Sequence, residues 1–406
     1  MAVIRPFRAL RPDAAVAPSV SSVPYDVVST EEARQLASGN PLSFLHVTRS
    51  EIDLPVDTDP YSDAVYAKAA ANFAALRDAA PLITEAEPSL YLYRLRMGDH
   101  EQTGVAGCFS VDEYERDVIK KHERTRRDKE DDRTRHIIEL RAQTGVVFLT
   151  YKASAGVTSV ASVLTAEAPL YDFTAADGVQ HTIWKADPRQ SAELVDVFTR
   201  IPALYIADGH HRAASAARAR AELRTRGQVG DADTFVAVAF PDDQVQILPY
   251  NRIVNDLGAN TPDGVLAALR ERRVPVQHGE PRPTAKRHVS MYLAGRWYDL
   301  DLSEVQPADR SHAAALDVAR LQHHVLEPLL GIGDVRTDTR IDFIGGARGA
   351  SALEAAVNQG RAAVAFSMYP VTIDDLIAIS DEGAIMPPKS TWFEPKLRDG
   401  LLTHVI

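Results

Sequence analysis

The stretch that organises the chain is Leu204-Tyr205-Ile206-Ala207-Asp208-Gly209-His210-His211-Arg212, followed by the Ala-rich run Ala213 to Arg226 and then Gly227. Four apolar residues ending at an aspartate read as a short strand. The Ala-rich run has strong helix propensity, and Gly227 is a natural residue just past a helix end. A strand-to-helix junction is therefore expected at Asp208. Gly209, His210 and His211 then occupy the first helical positions, where backbone N–H groups lack intrahelical partners and the helix dipole presents partial positive charge. That combination makes an anion site before any side chain is counted. Glycine lets a phosphate approach the backbone closely, and His210, His211 and Arg212 add donors that diverge over a polyphosphate. A plain cap by Asp208, with the histidines as polar surface, accounts for the same residues.

Working outward, Ser29 reads as the N-cap of a helix from about Thr30 to Ser38, with Glu31 and Glu32 in its first turn. A second helix is expected from Tyr61 to Ala80, carrying Val65, Ala69, Phe73 and Leu76 on one face. Leu90 to Leu95, Gly104 to Ser110 and Val146 to Tyr151 read as strands, and the charged span Glu113 to Arg141 as one or two solvated helices. Thr234 to Phe240 and Gln244 to Leu248 flank Pro241-Asp242-Asp243, which predicts a hairpin. Val289 to Leu293 with Trp297-Tyr298 predicts another strand pair. Helices are expected near Ala313 to Leu326 and Ser351 to Gly360, and a strand from Ala362 to Met368. Strands alternate with helices while several neighbours form antiparallel hairpins, so the expected class is α+β with mixed sheets in several subdomains. The divisions expected are 1–100, 101–255 and 256–406.

Composition limits the function classes. The chain has 406 residues, 45% apolar and 25% charged, which is ordinary globular usage, and a formal net charge of -11. That balance argues against a nucleic-acid surface, which needs clustered Lys and Arg. The single cysteine, Cys108, excludes an intramolecular disulfide and a thiolate zinc site; it reads as a buried small hydrophobe. No window approaches the ~18 apolar residues of a membrane span, and the start lacks a signal-peptide core, so a soluble, cytoplasmic protein is expected.

Two further segments carry chemistry. In Lys120-Lys121-His122-Glu123-Arg124-Thr125-Arg126, a carboxylate flanked by cations stays ionised and can accept a proton from a hydroxyl, with His122 close enough in sequence to orient it; a solvated charged helix explains the same composition. Met386-Pro387-Pro388-Lys389-Ser390-Thr391-Trp392 has a Lys-Ser pair but lacks the glycine and N–H donors of a phosphate loop. It reads instead as a rigid loop offering an ammonium, two hydroxyls and an aromatic face to a small substrate, or as a Pro-stiffened turn. Gly345-Gly346-Ala347-Arg348-Gly349 has the wrong spacing for a dinucleotide fingerprint and reads as a turn. Leu248-Pro249-Tyr250-Asn251-Arg252 reads as a strand-edge turn whose side chains could also meet a ligand. His210 and His211 are adjacent rather than four apart, so they do not converge on a zinc ion.

In the order His-Glu, then Asp-Gly-His-His-Arg, then Pro-Lys-Ser-Thr, the chain resembles the free-serine kinases built on the ParB/sulfiredoxin-like nucleotide-binding fold. From Pro6-Phe7-Arg8-Ala9-Leu10 and Pro24-Tyr25-Asp26-Val27-Val28-Ser29 through Pro387-Pro388-Lys389-Ser390-Thr391, it is similar to the DUF1015 family. The kinase resemblance implies that Glu123 is the base for a serine hydroxyl, assisted by His122, and that Asp208 supports catalysis. It also implies that Gly209, His210, His211 and Arg212 hold phosphates, and that Lys389, Ser390 and Thr391, with Trp392 shaping the pocket, hold the acceptor's carboxylate. The cofactors implied are Mg2+ and ATP or ADP. The core implied is 101–255, with the terminal loop of 256–406 returning to the active site. The partners expected are free serine or a similar small molecule and a nucleotide, with no nucleic acid and no membrane. Alternatives on the same scaffold are a nucleotide-binding or nucleotide-hydrolysing switch acting on a protein partner, and a kinase for another small hydroxyl compound.

Overall fold

The computed structural model describes residues 2–80, 82–228 and 230–406, and the chain divides into two compact units. The first comprises residues 1–245 together with 395–406, and the second residues 246–394. The protein is α+β, with several sheets, most of their pairings antiparallel.

In the first unit a nine-stranded sheet is built from β1 (Ile4–Arg5), β2 (Tyr91–Met97), β3 (His100–Ser110), β4 (Ile119–Lys120), β5 (Val147–Tyr151), β6 (Tyr171–Thr174), β7 (Gln180–Lys185), β8 (Leu204–Asp208) and β9 (Thr234–Pro241). The strand order is β4-β8-β5-β9-β3-β2-β7-β6, with β1 also on β3. Only β4 on β8 and β5 on β9 run parallel. The helices that matter here are α1 (Thr30–Ala37), α2 (Asp63–Ala79), α3 (Arg127–Leu140), α4 (Ala155–Leu164), α5 (Pro188–Phe198) and α6 (His210–Thr225). The β-branched and aromatic content of β5 and β9 suits strands that are buried along their whole length. Leu149, Ile206, Phe235 and Ala237 of the sheet pack with Leu194 and Phe198 of α5 and with Ala213, Ala216 and Ala217 of α6 in one core. Small alanines let α6 lie close to the sheet. Truncating a fully buried leucine such as Leu149 to alanine would cost roughly 2–5 kcal/mol.

Ser29 and α1 form as expected, as does α2, whose Val65, Ala69, Phe73 and Leu76 are buried. Cys108 is buried in β3. Three expectations are corrected. The boundary at 100 would cut the β2–β3 hairpin, whose register runs from Tyr91↔Ala106 to Met97↔His100, so residues 2–100 belong with 101–245. The boundary at 255 moves to 245, and the last twelve residues rejoin the first unit through the pairing of His404–Val405 with Ala142–Gln143. The hairpin expected around Pro241 does not form: β9 pairs with β3 and β5, while Gln246–Leu248 pairs with Trp392–Glu394. The turn residues end a strand without returning it.

The charged span also differs. It holds a short helix Val111–Glu115, then β4, and only afterwards α3, so Lys121 to Arg126 is irregular backbone and not helix. The second unit carries a six-stranded antiparallel sheet in the order Val276–His278, Arg296–Asp301, His288–Leu293, Val364–Met368, Tyr250–Val254, Ile341–Gly345, with the helix Gly349–Asn358 packed on it through Leu353 and Ala356. The strand pair expected at 289–298 and the strand near 362–368 are both present.

Candidate functional site

The site grows from the end of β8. Its register against β5 shifts between Ile206, opposite Leu149, and Asp208, opposite Phe148. A bulge of this kind re-aims the side chain that follows it. Asp208 is thus the last strand residue, and Gly209, not Asp208, is the N-cap of α6. Gly209 has φ +100°, a conformation that costs little only for glycine, and a Cβ there would sit 3.0 Å from the Arg212 guanidinium. No side chain caps this helix start among the described residues. Its first-turn N–H groups are therefore left without an intrahelical acceptor or a side-chain cap.

Asp208 instead faces cations. Oδ2 accepts from Lys396 Nζ at 2.8 Å and Oδ1 from Arg212 Nη2 at 3.2 Å. Burial alone would raise its carboxyl, but Lys396 and Arg212 outweigh that and hold it well below the usual carboxylate range. Arg212 is itself buried: Nη1 donates to the Val146 carbonyl and Nη2 also reaches Asp26 Oδ2 at 3.4 Å. Burial would lower its guanidinium, and the surrounding carboxylates, Asp26 first, raise it instead. Asp399 lies in the same neighbourhood with the opposite outcome. Its burial, only partly offset by Arg212 and aggravated by Asp26, pushes the carboxyl up to about 7. Arg212 Nε and Asp399 Oδ2 are buried and have no hydrogen-bond partner among the described residues. Arg212 also lines a cavity of about 30 Å3, together with Tyr25, Arg133, His136 and Thr144, large enough for a water molecule.

The His-Glu segment meets this helix start. The backbone N–H of His122 donates to His210 Nε2 at 3.4 Å, and that of Arg126 donates to His211 Nε2 at 3.0 Å. The His122 and His210 rings stand edge to face, centroids 4.4 Å apart. His122 is buried, and burial brings its imidazole down to about 4 against the pull of Asp208. Its Nδ1 has no partner among the described residues. Glu123, side chain 45% exposed, places Oε2 3.8 Å from His210 Nδ1. The half of the expected site that runs from residue 122 to 212 is therefore one cluster, although its two segments lie some 85 residues apart.

Lys389, Ser390, Thr391 and Trp392 belong to the second unit. There Lys389 has φ +57°, its carbonyl accepts from Arg252 Nη2 at 3.1 Å, and its ammonium lies 5.3 Å from the Tyr250 ring centre. Ser390 Oγ donates to the Pro387 carbonyl at 2.6 Å, and Trp392 Nε1 to Glu394 at 2.8 Å. Thr391 is half-buried in the same loop. Gly345 is explained by packing, since a Cβ would come 2.7 Å from the Trp392 ring. Among the described residues no group of three or more His, Cys, Asp or Glu side chains could hold a metal ion, and both oxygens of Asp208 already meet cations. The residues do not fit a protein-built metal centre. Likewise, no helix among the described residues is long and apolar enough to cross a membrane.

Sequence reasoning missed Asp26, Lys396 and Asp399. Asp26, in Pro24-Tyr25-Asp26, carries no chemical signal in the sequence, and Lys396 and Asp399 sit in a motif-free terminal stretch that joins the cluster only by folding back.

A family model described as "Protein of unknown function (DUF1015)" matches residues 4–319. No curated protein matches. Among solved structures, SbnI with a C-terminal truncation from Staphylococcus aureus is 12% identical, with TM-score 0.39, covering 74% of this chain and 87% of that one. A free serine kinase in complex with AMP is 12% identical, with TM-score 0.36, covering 74% and 91%. A conserved hypothetical protein from Pyrococcus furiosus is also 12% identical, with TM-score 0.35, covering 74% and 94%. At that identity and TM-score the likenesses assign no role to any residue of this chain.

Proposed function

The chain belongs to the DUF1015 family of proteins of unknown function, and within that family we propose that it is a nucleotide-dependent small-molecule kinase, with the hydroxyl of free L-serine as acceptor and O-phospho-L-serine as product. The observation that carries the reading is the meeting of the His122–Arg126 segment with the uncapped start of α6 beside an ionised Asp208. Such a helix start binds anions through its backbone N–H groups. A nearby exposed carboxylate, Glu123, can take a hydroxyl proton.

In this reading the donor, ATP or ADP, lays its phosphates on the N–H groups at Gly209 to Arg212. Glu123 accepts the serine hydroxyl proton as the oxygen attacks the terminal phosphorus and the nucleotide leaves with one phosphate fewer. Asp208, ionised between Lys396 and Arg212, keeps those two cations in place. Mg2+ would arrive bound to the nucleotide phosphates, keeping several of its own waters, and would supply charge neutralisation there. Phosphoryl transfer asks for positioning and charge more than covalent work, so the base contributes about 10²–10⁴-fold.

Phosphorus NMR of the protein with ATP or ADP, Mg2+ and a panel of hydroxyl compounds tests this. A phosphoserine signal is expected, reduced about 10²–10⁴-fold by Glu123→Gln while nucleotide still binds. Another phosphorylated alcohol would change the acceptor. Loss of nucleotide to orthophosphate with no acceptor would replace the kinase by a nucleotide-hydrolysing switch for a protein partner, and undiminished turnover in Glu123→Gln would remove that residue as base.

A further inference from the structure

We propose that His210 is a positioning residue for Glu123, its side chain directed at the carboxylate and not at a phosphate. The proposal rests on the reading of Glu123 as the base. The argument is one of hydrogen-bond direction. A backbone N–H can only donate, so the contact from His122 N–H at 3.4 Å makes His210 Nε2 the unprotonated nitrogen. A neutral imidazole then carries its proton on Nδ1, and Nδ1 is the atom 3.8 Å from Glu123 Oε2. The ring is neutral at ordinary pH, because burial first and His122 second push it well below the usual histidine value against the pull of Asp208.

The result is a lever. The loop backbone at His122 sets the tautomer, the tautomer points a donor at Glu123, and the ring is locked by burial and by the perpendicular His122 ring 4.4 Å away. The separation of 3.8 Å is long for a hydrogen bond, and contacts of this kind tighten when substrate closes a site. Nε2 is thereby committed within the protein, and Nδ1 faces the carboxylate. The phosphates are left with the backbone N–H of His210 and its neighbours, not with its imidazole. His122, whose Nδ1 has no partner among the described residues, does not orient Glu123 in this arrangement.

Two measurements decide. In the unmodified protein, nitrogen NMR of labelled histidine reads the tautomer: Nδ1–H with bare Nε2 is expected, and this resonance should move in Glu123→Gln. An Nε2–H tautomer, or a His210 signal indifferent to Glu123→Gln, overturns the proposal. In kinetics, His210→Gln should lower kcat about tenfold with nucleotide KM within about twofold. It should also move the acid limb of the pH–rate profile upward, since a carboxylate that loses a donor becomes easier to protonate. His210→Asn, whose amide can still donate near the Nδ1 position, should recover most of kcat. The charged and titratable groups facing His210 are His122 and Glu123 from the loop, Asp208 from β8, and His211 and Arg212 from α6, and all are kept in these variants. A tenfold rise in nucleotide KM with kcat kept would instead make His210 a phosphate ligand. Failure of the base reading is seen separately, as full activity in Glu123→Gln, whatever the tautomer.

Discussion

Two helix starts in the first unit solve the same problem in opposite ways. At α1, Ser29 accepts from Glu32 N–H at 3.2 Å while Glu32 Oε2 takes the Ser29 N–H at 2.8 Å, so the helix satisfies itself with its own residues. At α6, a left-handed glycine replaces the cap, and the first two side chains turn away to receive N–H groups from the loop 122–126. The first arrangement is local and stabilising. The second leaves donors in the first turn and makes the helix start depend on a distant segment, which is the feature the proposed phosphate site relies on.

The contrast breaks most sharply at Asp208. Replacing it with asparagine leaves Lys396 and Arg212 without their shared carboxylate, and a loss of about 3 kcal/mol is expected in urea unfolding. Because its carboxyl is depressed in the fold, that contribution is present at neutral pH and is lost as pH falls below the ordinary carboxylate value; the variant should show a flatter acid limb. Asp399 should behave in the opposite sense. Its carboxyl is raised to about 7, so the fold holds a proton that the unfolded chain has released, and stability falls as pH rises from about 4 towards 7. Asp399→Asn should abolish that slope, and a slope unchanged in the variant would refute the assignment.

Gly209→Ala comes next, with about 1–2 kcal/mol expected from the left-handed conformation and the crowding against Arg212. It should also weaken nucleotide binding by calorimetry, because the backbone donors move. Ser29→Ala should cost the least, about 1 kcal/mol, and leave nucleotide binding untouched. If Ser29→Ala and Gly209→Ala affected binding equally, the distinction between the two helix starts would fail.

Much of the local structure was legible. The Ser29 cap, the face of α2, the strand ending at Asp208 and the helix behind it all follow from short-range patterns that the fold retains. The cap residue of α6 was off by one because propensity favours aspartate as a cap, while the bulge in β8 and the ion pair to Lys396 draw Asp208 elsewhere. The expected hairpin at Pro241 failed for a related reason: a turn signal ends a strand, but which strand pairs next is decided by the whole sheet.

The sequence by itself determined the helix start at 208–212, the presence of a His-Glu pair, and the acidic, single-cysteine character of the chain. Each of these is a property of neighbouring residues or of a sum over all of them. Only the tertiary structure decided that Glu123 lies at His210, that Arg212 is enclosed by Asp26 and Asp208, and that Lys396 returns from the far end of the chain to hold Asp208. Charge pairing and tautomer choice depend on distances of a few ångströms between residues up to 188 positions apart, and no local pattern encodes those distances.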